Sequence, residues 1–396
     1  MQEIEANVKP GLSKRGDVDA FLAMDVLATA ARYDADGRDI VHMEVGQPGA
    51  PAPKPVLEAA TLAMADGRLG YTQAVGLPDL RKRIARHYLD AYGVDVPFER
   101  VVVTTGSSAG FSLAFLAALD AGDAVLTTAP GYPAYRNIMK ALNLRPIEVE
   151  AGADDGWTMT ADHIAGAGVE AGVKAVLAAS PNNPTGTMIR PDALADIVTA
   201  CRDRGLWFIS DEIYHGLVYD GRAATALAYS DDAIVINSFS KYYCMTGWRI
   251  GWMIVPERMV RTVERLAQNL YISAPELSQR AAIAAFEATE ELELVKAGYA
   301  RNRQIMLDAM PKMGFDDLYP VDGAFYVYAN VRRFTNDSVA FAREMLDEAG
   351  IAATPGLDFD RERGHGFIRF SFAGETKAIE NGMHRLQSWL AKRSAS

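Results

Sequence analysis

The sequence predicts an α/β protein whose larger domain is an α/β/α sandwich on a mostly parallel sheet, with a smaller α+β domain beside it. Between about residues 100 and 256, short apolar runs alternate with helical patterns, which is typical of a parallel sheet with both faces covered. The C-terminal part has a different pattern, in which a few strands precede one closing helix. We therefore expect the large domain at residues 46–300 and the small domain at residues 1–45 and 301–396.

Each element has its own pattern. The runs that predict strands of the large domain are "RVVVTTG", "DAVLTTA", "RPIEVE", "VKAVLAAS", "LWFIS", "AIVINS" and "RIGWMIVP". Helical patterns include "SAGFSLAFLAAL", "PDALADIVTACRDRG" and "ERMVRTVERLAQNLYI", and the segment from Glu276 to about Met310 predicts one long helix that links the domains. In the small domain, "GAFYVYANV" and "GFIRFSFA" predict strands, and "ETKAIENGMHRLQSWLAKR" predicts the closing helix.

The composition excludes several classes of partner. A formal net charge of -11 over 396 residues has the wrong sign for binding nucleic acid or an anionic membrane. No apolar stretch of about 18 residues occurs that would span a bilayer. The two cysteines, Cys201 and Cys244, lack metal-ligand spacing and are expected to be free thiols. These features predict a cytoplasmic protein that acts on small molecules.

The stretch "INSFSKYYCMTGWRIGW" at 236–252 places a lysine in unusual surroundings. Most lysines are solvated surface residues, but Lys241 lies between two apolar strands and therefore at the edge of the predicted sheet. Ser238, Ser240 and Arg249 are suited to bind a phosphate, since hydroxyls donate hydrogen bonds and a guanidinium grips phosphate with two. Because these residues can bind the phosphate, the Lys241 amine is left free to take part in a reaction.

Other polar residues follow strands at the same predicted edge, where open α/β sheets bind ligands. Gly106, Ser107 and Ser108 open a helix whose first amides suit a phosphate, although an ordinary serine helix cap has the same pattern. Tyr132 offers a flat surface for stacking, although a loop aromatic is more often core or rim.

Two further strands end in polar motifs. "PNNPTG" at 181–186, which contains Asn183, also fits a plain turn. Asp211 follows the apolar run "LWFIS", where a carboxylate is costly to bury without a cation or a ring N–H as its partner. A helix cap is the structural alternative for Asp211. Tyr214 can point the same way if a helical turn begins there.

Together these residues describe one ligand. The serines and Arg249 would hold a phosphate, and Tyr132 would lie against a ring. Asp211 would face a ring nitrogen, and Lys241 would meet a carbonyl. Pyridoxal 5'-phosphate has all four parts, and a lysine Schiff base with an aspartate at the pyridinium nitrogen is the usual protein environment of this cofactor.

"PNNPTG", "DEIY", "SFSKYYCMTGWRIGW" and "IRFSFA", in this order and spacing, closely resemble class I aminotransferases. These are the aspartate-aminotransferase-like enzymes of fold type I, which use pyridoxal phosphate. The resemblance runs from "VGQP" at 45–48 to "IRFSFA" at 368–373. It implies that the sheet of the large domain has seven strands.

The resemblance also implies a role for each matching residue. Lys241 would form the Schiff base with the cofactor, the internal aldimine, and Asp211 would pair with the pyridine nitrogen. The cofactor's phenolic oxygen would bind Asn183 and Tyr214, and its phosphate would bind Gly106, Ser107, Ser108, Ser238, Ser240 and Arg249, with Tyr132 under the ring.

Three more residues are implied to bind substrate or to reach across a dimer. Arg369 would grip the substrate α-carboxylate with two hydrogen bonds, a geometry that lysine lacks. Gly46 would let the substrate approach the backbone, with Asn183 nearby. Tyr71 would reach the cofactor phosphate of the neighbouring subunit, which implies a homodimer with shared active sites.

The predicted function is transfer of an amino group from an L-amino acid to a 2-oxo acid, 2-oxoglutarate or pyruvate, by a ping-pong mechanism. Freed Lys241 would act as general base and acid. "GQPGAP" departs from the acidic and aromatic residues of relatives, and Tyr132 stands where some members have tryptophan, so the preferred side chain stays open. A C–S β-lyase, another elimination enzyme or a cyclising synthase of the same fold is the alternative. A non-catalytic ligand-sensing module is a further alternative, although no basic DNA-binding segment is present.

Overall fold

The computed structural model of the protein describes residues 11–167 and 172–395. The first ten residues of the predicted small domain lie outside the described residues. The α-helices are α1 (Leu22–Ala35), α2 (Lys54–Asp66), α3 (Pro78–Tyr92), α4 (Ser107–Ala118), α5 (Pro133–Ala141), α6 (Ala161–Gly166), α7 (Pro191–Asp203), α8 (Glu257–Leu270), α9 (Glu276–Ala285), α10 (Thr289–Ala309), α11 (Ser338–Glu344) and α12 (Thr376–Ala395). Across the described part of the chain, no helix is long and apolar enough to cross a membrane.

The strands form three sheets. They are β1 (Val41–His42), β2 (Val101–Thr104), β3 (Ala124–Ala129), β4 (Arg145–Glu150), β5 (Val173–Ala179), β6 (Trp207–Asp211), β7 (Ile234–Ser238), β8 (Gly251–Ile254), β9 (Tyr326–Asn330), β10 (Ile351–Ala352), β11 (Thr354–Pro355) and β12 (Phe367–Ser371). The largest sheet has seven strands in the order β2-β8-β7-β6-β5-β3-β4. Only β8 runs antiparallel to its neighbours, so the predicted mostly parallel seven-stranded sheet is confirmed.

Both faces of this sheet are buried. Val102 packs on one face with Phe111 of α4, and Val101 and Val103 pack on the other with Leu80 of α3. Side chains alternate between the two faces of a strand, so a strand covered on both sides must be apolar throughout. This burial explains the uninterrupted apolar runs of the sequence.

The small sheets bring the two ends of the chain together. Strands β11, β12 and β9 form an antiparallel sheet, and β1 pairs in parallel with β10, with Val41 opposite Ile351. A core that includes Met43, Phe315 and Phe370 fills this region. The N-terminal segment therefore packs with the C-terminal part of the chain, while the division into the two domains stays a prediction.

The predicted long helix from Glu276 to about Met310 is wrong, because the chain breaks it into α9 and α10. No glycine or proline marks the break. Phe286, just after α9, lies with its ring centroid 5.2 Å from that of Tyr243 and 5.4 Å from that of Phe239. Tertiary packing of this ring ends the helix, and α10 then starts with Glu290 and Glu291 in its first turn, where acidic residues stabilise a helix.

A single loop, residues 239–250, joins β7 to the antiparallel strand β8. Because β8 lies next to β7, the chain turns back at the carboxyl edge of β7 and returns along it. The loop starts with Phe239, which is fully buried, and ends with Arg249 in the left-handed region at φ 51°. The loop is therefore anchored at both ends at the edge of the sheet where the parallel strands finish.

Candidate active site

A cavity of about 420 Å³ lies at the carboxyl edge of the seven-stranded sheet. The ends of β5 and β6, the start of α4 and the 239–250 loop line one side, and α1 and the small domain line the other. Of the residues selected from the sequence, the cavity lining includes Gly46, Ser107, Ser108, Tyr132, Asn183, Asp211, Tyr214, Ser240, Lys241, Arg249 and Arg369. The structure thus brings together residues that are up to 323 positions apart, from Gly46 to Arg369.

Lys241 projects into this cavity from the 239–250 loop. Its Nζ donates a hydrogen bond of 2.6 Å to the carbonyl oxygen of Gly46. Burial, together with the positive charges of Arg369 and Arg249, lowers the pKa of Lys241 to about 8, against the opposing effect of Asp211. An amine with this pKa is much more readily deprotonated near neutral pH than an exposed lysine.

Asp211 is the last residue of β6 and is 4% exposed. Its carboxylate accepts hydrogen bonds from the hydroxyl of Tyr135 and from the backbone N of Ile213. Burial raises the pKa of Asp211 to about 6, while those two bonds and the charge of Lys241 act in the opposite direction. The sequence predicted a cation or a ring N–H as the partner of Asp211. Tyr135 on α5 was missed, because a tyrosine in an amphipathic helix usually indicates a core contact.

An anion-binding corner lies where α4 begins. Ser107 and Ser108 open the helix, so their side chains and the first amides of α4 face the same cavity. Gly106 precedes them at φ 80°, and a Cβ built there would collide with the guanidinium of Arg249. Arg249 is in turn held by a 2.9 Å hydrogen bond from Nη1 to the carbonyl oxygen of Thr246. Glycine at 106 therefore lets the guanidinium lie against the start of the helix.

Ser238 and Tyr71 are not brought into the cavity. Ser238 is 1% exposed, and its hydroxyl lies 3.0 Å from the carbonyl oxygen of Ile250 and 2.9 Å from Oγ of Ser240. Ser238 thus holds Ser240, which does line the cavity. Tyr71 is 83% exposed on a loop before β2, and in this subunit it is not a lining residue.

Arg369 enters the cavity from β12 and is 2% exposed. Nη1 donates to Oδ1 of Asn183 at 2.9 Å, and Nη2 donates to the carbonyl oxygen of Glu44 and to Oγ1 of Thr354. The guanidinium also lies 4.3 Å from the ring centroid of Tyr326. Its Nε has no hydrogen-bond partner among the described residues. A buried guanidinium with no carboxylate bound to it and one unpaired donor is suited to receive an anion.

Tyr326 connects the two sides of the cavity and was missed in the sequence, where it is one of several aromatics in "GAFYVYANV". Its hydroxyl lies 2.8 Å from that of Tyr214. A Cβ on Gly46 would collide with the same hydroxyl. Gly46 is therefore required for this close approach of the backbone to Tyr326, and Tyr214 is held in place from the small domain.

The remaining wall is apolar and comes from α1 and the residue before it. Phe21, Met24 and Leu27 line it, and the ring of Phe21 lies edge-on to that of Tyr132 at 5.8 Å. The pattern of an amphipathic helix was the only signal for these residues in the sequence, and such a pattern usually marks a core contact. Sequence reasoning therefore missed them.

Residues 38–386 match the family model described as aminotransferase class I and II. The chain belongs to this family. It is 47% identical over 380 residues to the valine–pyruvate aminotransferase of Mycobacterium tuberculosis, covering 95% of this chain and 97% of that protein. It is 34% identical over 387 residues to the (5-formylfuran-3-yl)methyl phosphate transaminase of Methanocaldococcus jannaschii, covering 96% and 100%.

Solved structures agree with this assignment. The crystal structure of an aminotransferase from Mycobacterium tuberculosis superposes with a TM-score of 0.94 at 46% identity, covering 97% of this chain and 100% of that chain. The protein is therefore a fold-type I enzyme that depends on pyridoxal phosphate and moves an amino group between an amino acid and a 2-oxo acid. An elimination enzyme of the same fold is not favoured.

The cavity fits pyridoxal phosphate. The opening of α4 beside Arg249 provides donors for a phosphate, and the missing Cβ of Gly106 keeps that corner open. Asp211 is the one carboxylate that lines the cavity in the described part of the chain, and a buried carboxylate is the group that pairs with a protonated ring nitrogen. The Lys241 amine, with its lowered pKa, is matched to an aldehyde.

Proposed function

We propose that the protein transfers the amino group of an apolar, monocarboxylic amino acid such as valine to a small 2-oxo acid such as pyruvate. The apolar wall of Phe21, Met24 and Leu27 carries this proposal, because these side chains favour contact with an apolar substrate side chain over a second carboxylate, which is costly to bury against them. The cationic lining residues within the described chain are Lys241, Arg249 and Arg369. The name of the Mycobacterium tuberculosis relative, valine–pyruvate aminotransferase, supports the same pair of substrates.

We assign each cofactor contact to groups already in position. The phosphate is held at the opening of α4, by Ser107, Ser108 and the preceding Gly106, together with Ser240 and Arg249. Asp211 faces the pyridine nitrogen, and Tyr132 lies against the ring. Asn183 and Tyr214 face the phenolic oxygen, since Oδ1 of Asn183 accepts from Arg369 and its amide nitrogen is left as a donor. When bound, pyridoxal phosphate supplies an electron-withdrawing ring that stabilises negative charge at the substrate α-carbon.

Lys241 is the group that moves the proton. With pyridoxal phosphate bound, the Lys241 amine would take the proton from the substrate α-carbon as a base and return it as an acid. The carbonyl oxygen of Gly46, 2.6 Å away, holds the amine on this side of the cavity. The nearby guanidinium groups of Arg369 and Arg249 favour the neutral amine that this role requires.

A screen of amino acids tests the proposed substrate class. Each amino acid is mixed with the yellow holoenzyme in the absence of a 2-oxo acid, and the first half-reaction is followed as loss of the cofactor's visible absorbance. We expect valine to react roughly 10- to 200-fold more efficiently than alanine, because pocket contacts with extra methyl groups contribute on this scale. Aspartate should react more slowly than valine. A preference for aspartate or glutamate would reject the proposed substrate class, and release of ammonia and pyruvate without a 2-oxo acid would instead indicate elimination.

We expect Arg369→Lys to weaken amino-acid binding far more than cofactor binding. A lysine cannot reproduce the pair of parallel hydrogen bonds from a guanidinium to a carboxylate, so KM should rise on the order of 10- to 100-fold, the cost of about 1.5–3 kcal/mol for a charged hydrogen bond. The dissociation constant of pyridoxal phosphate should change little. Equal weakening of both would mean that Arg369 is a structural residue.

We propose that two subunits form a homodimer with shared active sites. Tyr71 is exposed in the single subunit, and Leu69, Leu270 and Ile272 are exposed near it. Hydrogen bonds from the 70–72 loop to Ser273 and Glu276 hold these two segments side by side. Such an apolar patch on a subunit surface marks an association site, and Tyr71 on it would reach the phosphate in the partner's cavity.

Complementation tests this arrangement. Lys241→Ala and Tyr71→Ala subunits are unfolded together and refolded, which yields heterodimers in which one site is intact and one is doubly altered. With random pairing in a two-fold dimer, about a quarter of all sites should be intact, so activity should return to roughly that fraction of wild type. Heterodimers that form without regaining activity would show that Tyr71 serves its own subunit or no active site.

We also propose that the protein works in the cytoplasm. Cys201 and Cys244 are both free and buried. Burial raises the pKa of their thiols to about 12 and about 11, so both stay protonated. Unpaired thiols of this kind are typical of reducing compartments.

A further inference from the structure

Asp358 caps helix α1 from a distant part of the chain. Phe21, the N-cap residue of α1, provides no side-chain hydrogen bond. The backbone N of Leu22 donates instead to Oδ1 of Asp358 at 3.0 Å, and the backbone N of Ala23 donates to Oδ2 at 3.1 Å. Asp358 is 2% exposed. Both carboxylate oxygens thus satisfy amides of the first turn that have no partner within the helix.

The segment around Asp358 also contacts the rest of the cavity. The carbonyl oxygen of Asp358 accepts from Nη2 of Arg136, and that of Phe359 accepts from the backbone N of Gly131 at 3.1 Å. The ring of Phe359 lies 4.7 Å from the guanidinium carbon of Arg369. The segment therefore contacts both the loop before Tyr132 and Arg369. Through its hydrogen bonds to Leu22 and Ala23, Asp358 connects α1 to this segment.

The other end of α1 has attachments of its own. Asp34, near the end of the helix, bonds Nε2 of His42 at 2.7 Å, and Nδ1 of His42 bonds Oε1 of Glu44 at 2.8 Å. The Asp34 and His42 side chains are 44% and 41% exposed, and exposed ion pairs contribute little to stability. The hydroxyl of Tyr33 also donates to Asp347 at 2.6 Å, and Ala30 packs on Leu346 and Ala352, so this end of α1 stays attached without Asp358, whereas the buried carboxylate of Asp358 caps the first turn.

We propose that Asp358 is a positioning residue that sets substrate selectivity by holding the apolar wall of α1 against the cavity. Phe21 and Met24 flank the two capped amides directly, and Leu27 lies one turn further along α1. Loss of the cap would let the first turn of α1 open, and the contacts with the substrate side chain would be lost while the cofactor and carboxylate contacts remain. This role rests on the proposed preference for apolar side chains.

A different mechanism through Arg369 makes a distinct prediction. The positive charges of Arg369 and Arg136 act on the Asp358 carboxylate, so removing that carboxylate could change how Arg369 holds the substrate. Every amino acid presents the same α-carboxylate, so an effect through Arg369 would change KM for all substrates alike. An effect through the wall of α1 changes the ratio between a large and a small side chain.

The experiment compares holoenzyme variants Asp358→Ala and Asp358→Asn with valine and alanine as donors. We expect the ratio of kcat/KM for valine to that for alanine to fall roughly tenfold in Asp358→Ala, with kcat for alanine within about threefold of wild type. Asp358→Asn keeps one acceptor oxygen and should show a smaller loss. Amide hydrogen exchange in residues 22–35 should be faster in Asp358→Ala by roughly 2- to 30-fold, the range that loss of a helix cap corresponds to.

Asp337→Ala is the matched control. Asp337 also caps two amides of a helix, since its Oδ1 accepts from the backbone N of Val339 at 3.1 Å and of Ala340 at 3.0 Å at the start of α11, and it does not line the cavity. It should leave the valine-to-alanine ratio and the exchange in α1 unchanged. A wild-type preference that survives in Asp358→Ala, or unchanged exchange in α1, overturns the positioning role alone. Equal wild-type efficiency with the two donors would show that the wall of α1 does not select for side-chain size and would overturn any role of Asp358 in selectivity, whereas a wild-type preference for aspartate or glutamate would overturn the proposed substrate class itself.

Discussion

Lys241→Ala should lose turnover by at least the 10²- to 10⁴-fold that positioned proton transfer contributes. The Lys241 amine lines the active-site cavity and has a lowered pKa. Its hydrogen-bond partner, the carbonyl oxygen of Gly46, cannot take over proton transfer when the amine is removed. Cofactor should still bind through the α4 corner and Arg249. The measurement is the single-turnover rate with valine, together with borohydride reduction and peptide mapping of the wild type, which should place the pyridoxyl group on Lys241.

Lys296→Ala is the control for this variant. Lys296 is a partly buried lysine on α10 that pairs with Glu293 at 3.5 Å, and it does not line the active-site cavity. Its removal should leave the turnover rate unchanged. Labelling of a lysine other than 241, or normal turnover in Lys241→Ala, would contradict the mechanism.

The pKa of Lys241 sets a pH dependence. With a pKa of about 8, the amine is mostly protonated at pH 7 and mostly neutral above pH 8. Only the neutral amine attacks an aldehyde, so the rate at which the apoprotein captures pyridoxal phosphate covalently should rise about tenfold per pH unit below pH 8 and level off above it. An exposed lysine would level off near pH 10.4 instead.

Asp211→Ala should bind cofactor but turn over on the order of 10²- to 10³-fold more slowly. The carboxylate keeps a positive charge on the ring nitrogen, and removing one such group from a buried site costs on this scale. Asp211→Asn should show a similar loss, because it keeps the shape of the side chain and removes the charge. Steady-state turnover and the dissociation constant of the cofactor separate the two effects, and near-normal turnover in both variants would reject this role.

Tyr135→Phe provides a graded test of the same site. The hydroxyl of Tyr135 donates to Asp211 and lowers its pKa. Without this bond the pKa of Asp211 rises from about 6, so the carboxylate is lost at a higher pH as the solution is acidified. The acid limb of the pH–activity profile should therefore move to higher pH, whereas a purely structural effect of Tyr135 would lower activity equally at all pH values.

The sequence predicted the groups that follow strands but not those that approach from elsewhere. Lys241, Asp211 and Asn183 each come just after an apolar run, and the rule that parallel strands end at one edge was enough to bring them together. Ser238 also met this rule, yet its hydroxyl is turned to Ile250 and Ser240. A side chain at the end of a strand can point to either face of the sheet. For Ser238, the packing of the neighbouring strand β8 determines which face it takes.

Tyr135, Tyr326 and the wall of α1 could not be predicted for a different reason. Each lies in a helix or strand whose apolar pattern is explained fully by core packing, so nothing local marks the residue that faces the cavity. Their placement depends on how the small domain and α1 dock against the large sheet. The break after Phe286 has the same origin, since distant aromatic rings rather than local sequence end α9.

The loop at 239–250 has a consequence for how substrates come and go. Ser240, Lys241 and Arg249 lie on this one short connection between β7 and β8, and hydrogen bonds through Thr246 join its two ends, at 2.8 Å to the carbonyl oxygen of Ser240 and at 2.9 Å from Nη1 of Arg249. Arg369 belongs to a different sheet. A hinge motion of that sheet would move Arg369 away from the loop and open a route for solvent and product beside it. The Lys241 amine and the Arg249 phosphate site would keep their positions relative to each other. One added residue in the loop, by contrast, would misalign both at once.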